Sequence, residues 1–305
     1  MSRILPALLA ALALPLAAEE VSLSTPGGRL HATLELPATV APWPCVLVIA
    51  GSGPTDRDGN QPGLRNDSLK QLGAALAGKG FCVLRPDKRG VGASAAAAPK
   101  ESELRFEHYA ADAADWVAHL RKDLRAGRVA LLGHSEGALV GLLAAKRGGV
   151  HAFVSVAGAG QPAADLLRWQ AQILPRGLRK MNDAIVRELS AGHTVAVVPK
   201  ELLALYRPSV QPYLISWLRY DPAAEIAAVK VPVLVLHGTA DLQVPPADAH
   251  LLARALPGAR LELIEDMNHV LKRAATPAEQ NRAYTDPSTP VDPRAVELIA
   301  EFLRP

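Results

Sequence analysis

Aromatic residues and cysteine are scarce in this sequence. Phe, Trp and Tyr together supply 4% of its 305 residues, and cysteine occurs only at Cys45 and Cys82. Neither cysteine has a histidine or a second cysteine at metal-ligand spacing, which argues against a zinc site. We expect no metal and no other cofactor.

An excess of charge is lacking as well. Lys and Arg number 33 and Asp and Glu number 30, which leaves a net charge of +3 spread evenly along the chain. No run of basic residues is interleaved with aromatics, so the composition argues against a nucleic-acid partner. It indicates a solvated surface of mixed charge and gives no indication of an oligomeric state.

The two cysteines lie near the starts of two apolar runs that have the character of strands. If those strands are neighbours in one parallel sheet, the sulfur atoms come close, and an oxidising compartment permits a disulfide. Buried free thiols are the alternative, and we favour them.

A long hydrophobic run occurs only near the N-terminus. Arg3 precedes apolar residues 4–16, and the small residues Ala17 and Ala18 then give way to two glutamates. This pattern predicts a secretory signal peptide over residues 1–18. As a helix the run would be about 20 Å long, too short for a ~30 Å hydrocarbon core, so we expect no stable membrane span after signal removal. The mature protein is expected to be exported, as a periplasmic or secreted protein.

The rest of the chain alternates short apolar runs with amphipathic stretches, and hydrophobic residues make up 49% of the sequence. This alternation predicts an α/β domain over residues 19–305, built on a mostly parallel central sheet flanked by helices. Predicted parallel strands cover residues 45–50, 81–87, 129–132, 152–157, 231–238 and 260–264. Two further segments, 21–24 and 30–36, flank a Pro-Gly-Gly turn and predict a hairpin at the sheet edge. Residues 273–293 are predicted to form a loop.

The alternation stops in one region, residues 161–221. Helical stretches separated by Pro and Gly occur there, without an apolar run typical of a buried strand. An all-helical insertion between two strands of such a sheet favours a lid. A separate domain is the alternative, although about 60 residues would make a small one.

The stretch that organises the chain is Gly133-His134-Ser135-Glu136-Gly137. It follows the apolar run 129–132 and precedes a segment rich in Ala and Leu, so a strand, a tight turn and a helix are expected in that order. This is the context of a nucleophile elbow, in which a serine hydroxyl stands above the sheet. The turn leaves no room for side chains at the two glycines, and it directs the Glu136 N–H at the same space as the hydroxyl. His134 is expected to pack beneath the elbow, and the Glu136 side chain to hydrogen-bond with nearby loops.

A serine hydroxyl needs a base, and the base needs an orienting acid. Asp241 follows one predicted strand and His269 follows the last one. The carboxyl ends of parallel strands converge on one crevice, so Ser135, Asp241 and His269 are predicted to form a catalytic triad.

With these residues the chain resembles an α/β-hydrolase over nearly its whole mature length. It is most similar to exported bacterial serine esterases of the carboxylesterase, lysophospholipase and serine aminopeptidase type. The motifs that carry the resemblance are Gly51-Ser52-Gly53, the loop 51–60, the segment Asp87-Lys88-Arg89-Gly90-Val91-Gly92-Ala93-Ser94, the elbow, Asp241 and His269. The resemblance implies that the N–H of Ser52 joins that of Glu136 in an oxyanion hole. Ala50 stands where many members have histidine.

Three aromatic residues of the helical insertion, Trp169, Tyr213 and Trp217, are candidates for an acyl pocket. Packing within the insertion is the alternative for each of them.

The predicted function is hydrolysis of carboxylic esters of small or medium acyl chains through an acyl-enzyme, with a small-molecule ester as the partner. A serine peptidase or aminopeptidase with the same triad is an alternative, in which Glu188 or Glu201 would bind the substrate's amino group. A non-catalytic binding protein on the same scaffold is a further alternative, and the intact triad argues against it.

Overall fold

The computed structural model describes residues 17–98 and 100–304. The predicted signal peptide lies outside these residues except for Ala17 and Ala18, which begin the first strand. Among the described residues, none of the helices has the length and hydrophobicity that a membrane crossing requires.

A sheet of eight strands forms the centre of the described part of the chain. Its spatial order is β1-β2-β4-β3-β5-β6-β7-β8. The strands are β1 (Ala17–Thr25), β2 (Gly28–Leu36), β3 (Trp43–Ile49), β4 (Cys82–Pro86), β5 (Ala126–His134), β6 (Ala152–Val156), β7 (Val233–Gly238) and β8 (Arg260–Ile264). β1 and β2 form an antiparallel hairpin, and β2 pairs antiparallel with β4. The other pairs are parallel, which confirms the predicted α/β class.

Helices cover both faces of the sheet. They are α1 (Ser68–Gly78), α2 (Phe106–Leu120), α3 (Glu136–Ala145), α4 (Ala163–Gln170), α5 (Arg176–Ser190), α6 (Leu203–Tyr206), α7 (Gln211–Trp217), α8 (Pro222–Ala227), α9 (Ala247–Ala255), α10 (Pro277–Thr285) and α11 (Pro293–Leu303). Successive side chains of β3 enter opposite cores, as the two-residue period of a strand requires. Leu47 packs in the cluster that includes side chains of α2 and α3, whereas Val46 packs with those of α1 and α11. This two-sided burial explains the continuous apolarity of the central strands.

The hairpin has the predicted alternation. Leu30, Ala32, Leu34 and Leu36 of β2 are buried, and the residues between them are partly exposed. β1 is longer than predicted, because its pairing with β2 extends to Ala17.

The prediction of a loop over residues 273–293 is wrong, because α10 lies within it. Thr276 caps this helix: its hydroxyl accepts a hydrogen bond from the Glu279 N–H, and the Glu279 carboxylate accepts one from the Thr276 N–H. Pro277 follows at the first helical position, where a missing N–H costs nothing. The sequence analysis assigned the segment to a loop from its composition and did not identify this capping box.

The segment between β6 and β7 is helical, and α4 to α8 lie within it. Its side chains share a buried cluster with the sheet: Tyr213 and Leu214 of α7 pack with Phe106 and Tyr109 of α2. Within the insertion, the buried Tyr206 hydroxyl donates to the Asn182 side chain at 2.7 Å. The insertion is therefore anchored by packing on α2 and by its own buried hydrogen bonds.

Cys45 and Cys82 are joined by a disulfide, so the expectation of free thiols is wrong. The register of the parallel pair β3–β4 sets the two residues directly opposite each other, with their Cα atoms 4.4 Å apart. Sequence alone does not give the register between two strands, and the register decides whether the sulfurs meet.

We predict that replacing both cysteines by alanine lowers the free energy of unfolding by up to about 4 kcal/mol. The disulfide links positions 37 residues apart. Without it the unfolded chain gains conformational entropy, and this gain accounts for the lower free energy of unfolding. Urea unfolding of the wild type and of the Cys45→Ala/Cys82→Ala variant measures the difference. Thiol titration of the denatured, unreduced wild type should find no free thiol; two titratable thiols would contradict the pairing.

Candidate active site

Ser135 occupies a strained turn between β5 and α3. Its φ is 57° and its ψ is −122°, a backbone conformation that residues other than glycine rarely adopt. A Cβ on Gly133 would overlap the Gly137 carbonyl, and a Cβ on Gly137 would overlap the carbonyls of Ile49 and Ala50. Both positions require glycine because neighbouring backbone carbonyls lie too close to admit a Cβ, as the elbow motif predicts.

Asp241 and His269 meet beside this turn, each in the loop after its strand. The His269 Nδ1 lies 2.8 Å from the Asp241 Oδ2, and both residues are buried. The other carboxylate oxygen of Asp241 accepts the N–H groups of Gln243 at 2.8 Å and Val244 at 2.9 Å. His269 and Ser135 line the same cavity of about 220 Å³. The structure therefore brings the three predicted residues to one place.

A second imidazole, which the sequence analysis missed, contacts the same carboxylate. The His237 Nε2 lies 3.3 Å from the Asp241 Oδ2 and 3.0 Å from the Val244 carbonyl oxygen. Burial would raise the pKa of Asp241, but the charges and hydrogen bonds of the two rings outweigh it and lower that pKa well below 3.8. The available signal was the position of His237 near the end of β7, four residues before Asp241.

His134 packs beneath the elbow, as expected, and also contacts the main chain of His269. Its Nε2 lies 2.7 Å from the His269 carbonyl oxygen, and the two rings are 4.9 Å apart between centroids. Burial, reinforced by the neighbouring His269 ring, lowers the pKa of His134 from 6.5 to about 3. The ring is therefore neutral near pH 7, and its Nε2–H donates to the His269 carbonyl.

We predict that His134 makes the protein less stable as the pH falls from 6.5 towards 3. Its pKa is lowered in the folded state, so the unfolded chain binds the proton more tightly. Its contribution is thus complete above pH 6.5 and is lost as the pH falls towards 3, with a slope of about 1.4 kcal/mol per pH unit. His134→Gln keeps an N–H donor and does not titrate. Urea unfolding between pH 6 and 4 measures the free energy of unfolding of both proteins. It should fall more steeply with decreasing pH in the wild type than in the variant, and an equal pH dependence would contradict the assignment.

The loop after β3 packs directly against the elbow. A Cβ on Gly51 would lie 3.0 Å from the Ser135 Cβ. Ser52 lines two cavities together with Ser135, and Glu136 lines one of them. Within the described residues, neither the Ser52 N–H nor the Glu136 N–H donates to another protein group. The Glu136 carboxylate accepts a hydrogen bond from the Tyr213 hydroxyl at 2.6 Å, which ties it to the helical insertion.

Two further cavities lie between the elbow and the insertion, and Ser135 lines the smaller of them. One of about 100 Å³ has mostly apolar walls, among them Leu139, Leu166, Leu167, Leu205 and Trp217. The other, of about 410 Å³, has a more polar lining that includes Tyr213 and Trp217.

The structure separates the third aromatic candidate from the other two. Trp169 is 39% exposed and lines none of these three cavities. The buried residues of α4 are Ala163, Leu166 and Leu167, and the turn of the helix directs Trp169 away from them. Its assignment to an acyl pocket stays a prediction that these cavities do not support. Glu188 is half-buried and Glu201 is exposed, and neither lines these cavities.

A sequence profile of the family described as serine aminopeptidase, S33, matches residues 66–273. The chain belongs to the serine aminopeptidase S33 family. The expected resemblance to α/β-hydrolases is thereby confirmed.

Among curated relatives of this S33-family chain, esterase EstD of Thermotoga maritima is 26% identical over 282 residues. The match covers 90% of this chain and 65% of EstD. Polyketide synthase ThaQ of Burkholderia thailandensis is 30% identical over 176 residues, which are 51% of this chain and 8% of that protein. The chain thus spans about two thirds of the first relative and a small part of the second.

Solved structures share the fold of this S33-family chain. Est1E from Butyrivibrio proteoclasticus superposes with a TM-score of 0.60 at 17% identity, covering 93% of this chain and 95% of Est1E. A thermophilic esterase from Thermogutta terrifontis gives a TM-score of 0.56 at 23% identity, covering 94% and 98%. At these identities the likeness establishes the α/β-hydrolase fold.

Proposed function

We propose that the protein is a serine hydrolase that cleaves carboxylic esters through an acyl-enzyme. The observation that carries this proposal is the buried Asp241–His269 pair facing the cavity into which the strained Ser135 turn opens. The family match and the likeness to EstD, an esterase, support it.

In the proposed mechanism, His269 is the general base. Its Nδ1–H donates to Asp241, so its Nε2 is free to take the proton of the Ser135 hydroxyl as that oxygen attacks the ester carbonyl. Asp241 holds the ring in this tautomer and stabilises the imidazolium that forms. The imidazolium then protonates the leaving alcohol. Water attacks the acyl-enzyme with His269 again as base.

The developing negative charge is proposed to bind to two main-chain amides, those of Ser52 and Glu136. Both residues line the cavities next to Ser135, and both N–H groups lack another acceptor within the described part of the chain. One such donor is commonly worth about 3–4 kcal/mol in the transition state.

Replacing Ser135 by alanine should lower kcat/KM for a p-nitrophenyl ester by a factor of about 10⁴ or more, because the nucleophile is removed while the fold remains. Steady-state hydrolysis and labelling by a fluorophosphonate probe measure the loss, and the thermal midpoint should stay close to that of the wild type.

Ser288→Ala is the matched control, since Ser288 is exposed and lines neither of the cavities that Ser135 lines. It should keep wild-type turnover and labelling. Turnover retained by Ser135→Ala would refute the nucleophile. A wild type that neither turns over esters nor labels would favour the non-catalytic alternative.

For the substrate, we propose esters with small or medium acyl chains. The apolar cavity next to Ser135 has a volume of about 100 Å³ and is closed by side chains of α3, α4 and α7. An aminopeptidase substrate would instead need a free carboxylate for its ammonium group. Of the acidic side chains that line the 410 Å³ cavity, Glu101 is paired with Arg207 and Glu136 with the Tyr213 hydroxyl.

A series of p-nitrophenyl esters from acetate to laurate tests the acyl preference. We expect kcat/KM to peak between two and eight carbons and to fall for laurate, because a long chain does not fit the small apolar cavity. Aminoacyl-anilides assayed in parallel should turn over at least about 100-fold more slowly than the best ester. Faster cleavage of the anilides would establish the peptidase alternative instead.

The helical insertion, residues 161–221, is proposed to act as a lid. Its residues Leu166, Leu205 and Trp217 form walls of the cavities beside Ser135, so the insertion covers the proposed acyl site.

Export is proposed as well. The N-terminal pattern of residues 1–18 predicts it, and the Cys45–Cys82 disulfide is of a kind that persists in oxidising compartments.

A further inference from the structure

Lys88 is a buried lysine that the proposed mechanism does not use. It follows β4 by two residues, and its side chain lies beneath the loop that carries Ser52. Its ammonium group donates to the carbonyl oxygens of Gly51 and of Gly53, the latter at 2.8 Å. The same group lies 5.3 Å from the centre of the Tyr109 ring, within cation–π distance. Two of its N–H groups thus have carbonyl acceptors, and the charge also faces an aromatic ring.

The two carbonyls that Lys88 binds lie on either side of Ser52. The Gly51 carbonyl belongs to the same peptide unit as the Ser52 N–H, and this peptide is trans. In a trans peptide the C=O and N–H bonds point in opposite directions. With its oxygen bound to Lys88, the unit must direct the Ser52 N–H to the opposite side.

The next peptide unit, Ser52–Gly53, is held by two other side chains. The Ser52 carbonyl accepts the Thr55 hydroxyl at 2.6 Å and the Gln61 side chain at 3.3 Å. Three successive carbonyls are therefore fixed in direction, two by Lys88 and the middle one by Thr55 and Gln61. A rotation of the Gly51–Ser52 peptide would break the bond to the lysine.

We propose that Lys88 is a positioning residue for the oxyanion hole, which orients and polarises the Gly51–Ser52 peptide so that the Ser52 N–H is presented to the reacting carbonyl. The inference rests on the proposed hydrolase function. A charged donor on a peptide oxygen strengthens the N–H of the same unit as a donor, because linked hydrogen bonds polarise one another. The positive charge also offsets the Glu136 carboxylate, which would otherwise oppose a nearby oxyanion.

Burying an ammonium group opposes folding, and burial lowers the pKa of Lys88 below its usual 10.5. An apolar side chain of similar length would fill the space without that cost. The charge and the donors at this position are therefore better explained by what they do to the Ser52 peptide than by packing.

Lys88→Met tests the proposal, since methionine keeps the length and removes both the charge and the donors. We expect kcat for the best p-nitrophenyl ester to fall roughly 10- to 100-fold with KM changed less than about threefold. This loss is smaller than that of a deleted donor because the peptide is still present. The inhibition constant of an alkyl trifluoromethyl ketone, which forms an oxyanion on Ser135, should rise by a factor similar to the fall in kcat/KM.

Lys272→Met is the matched control. Lys272 is another buried lysine that donates to two carbonyls, those of Asn66 at 2.6 Å and Asp286 at 3.1 Å. Lys272→Met should leave the ratio of the ketone's inhibition constant to KM near the wild-type value, whatever its effect on the thermal midpoint. A purely structural role for Lys88 would give the same pattern in both variants.

An active wild type whose Lys88→Met variant keeps kcat and ketone affinity would overturn the inference and leave the hydrolase function standing. A wild type with no Ser135-dependent turnover would instead overturn the proposed function. If Lys88→Met does not fold, Lys88→Gln, which keeps a neutral donor, serves in its place. It should show a smaller loss of kcat and of ketone affinity, and wild-type values for both would overturn the inference.

Discussion

Close backbone contact between the elbow and the end of β3 is the constraint on which the rest of the site depends. Gly137 lies against the carbonyls of Ile49 and Ala50, and Gly51 lies against the Cβ of Ser135. Glycine is needed because any Cβ would push the two segments apart. The approach places the Ser135 side chain against the loop that carries the Ser52 amide, without a flexible side chain between them. The parallel pairing of β3 with β5 sets this distance, so the geometry of the sheet becomes the geometry of the site.

Around this contact the fold buries several charged groups, and each is matched to partners. Asp241 lies between two imidazoles and two main-chain amides. Lys88 is bound to carbonyls, and Glu136 accepts the Tyr213 hydroxyl. Such groups oppose folding when they lack partners. Their concentration next to Ser135 therefore indicates that the interior here is organised for the stabilisation of charge, while the apolar clusters on the two faces of the sheet supply the stability.

The sequence predicted the sheet class, the elbow and the Asp241–His269 pair, because each depends on a local pattern: an apolar run, a turn motif or a polar residue at a strand end. It did not give the partners of Lys88, the contact of His237 with Asp241 or the disulfide. These depend on register between strands and on side-chain direction, which only the assembled fold determines. Trp169 is a further example of a side chain whose direction the sequence did not predict. Its position in the insertion was predicted, but which face of α4 is buried was not.

One aromatic cluster supports both proposed oxyanion donors. The Tyr109 ring lies under the Lys88 ammonium group and packs edge-on against Tyr213, with ring centroids 5.6 Å apart. Tyr213 in turn donates to Glu136, whose own N–H is the second proposed donor. Because Tyr213 belongs to α7 of the insertion, a shift of that helix would disturb the Glu136 carboxylate directly and the Lys88 environment through Tyr109. The insertion that lines the proposed acyl cavity thus also supports the two proposed amide donors.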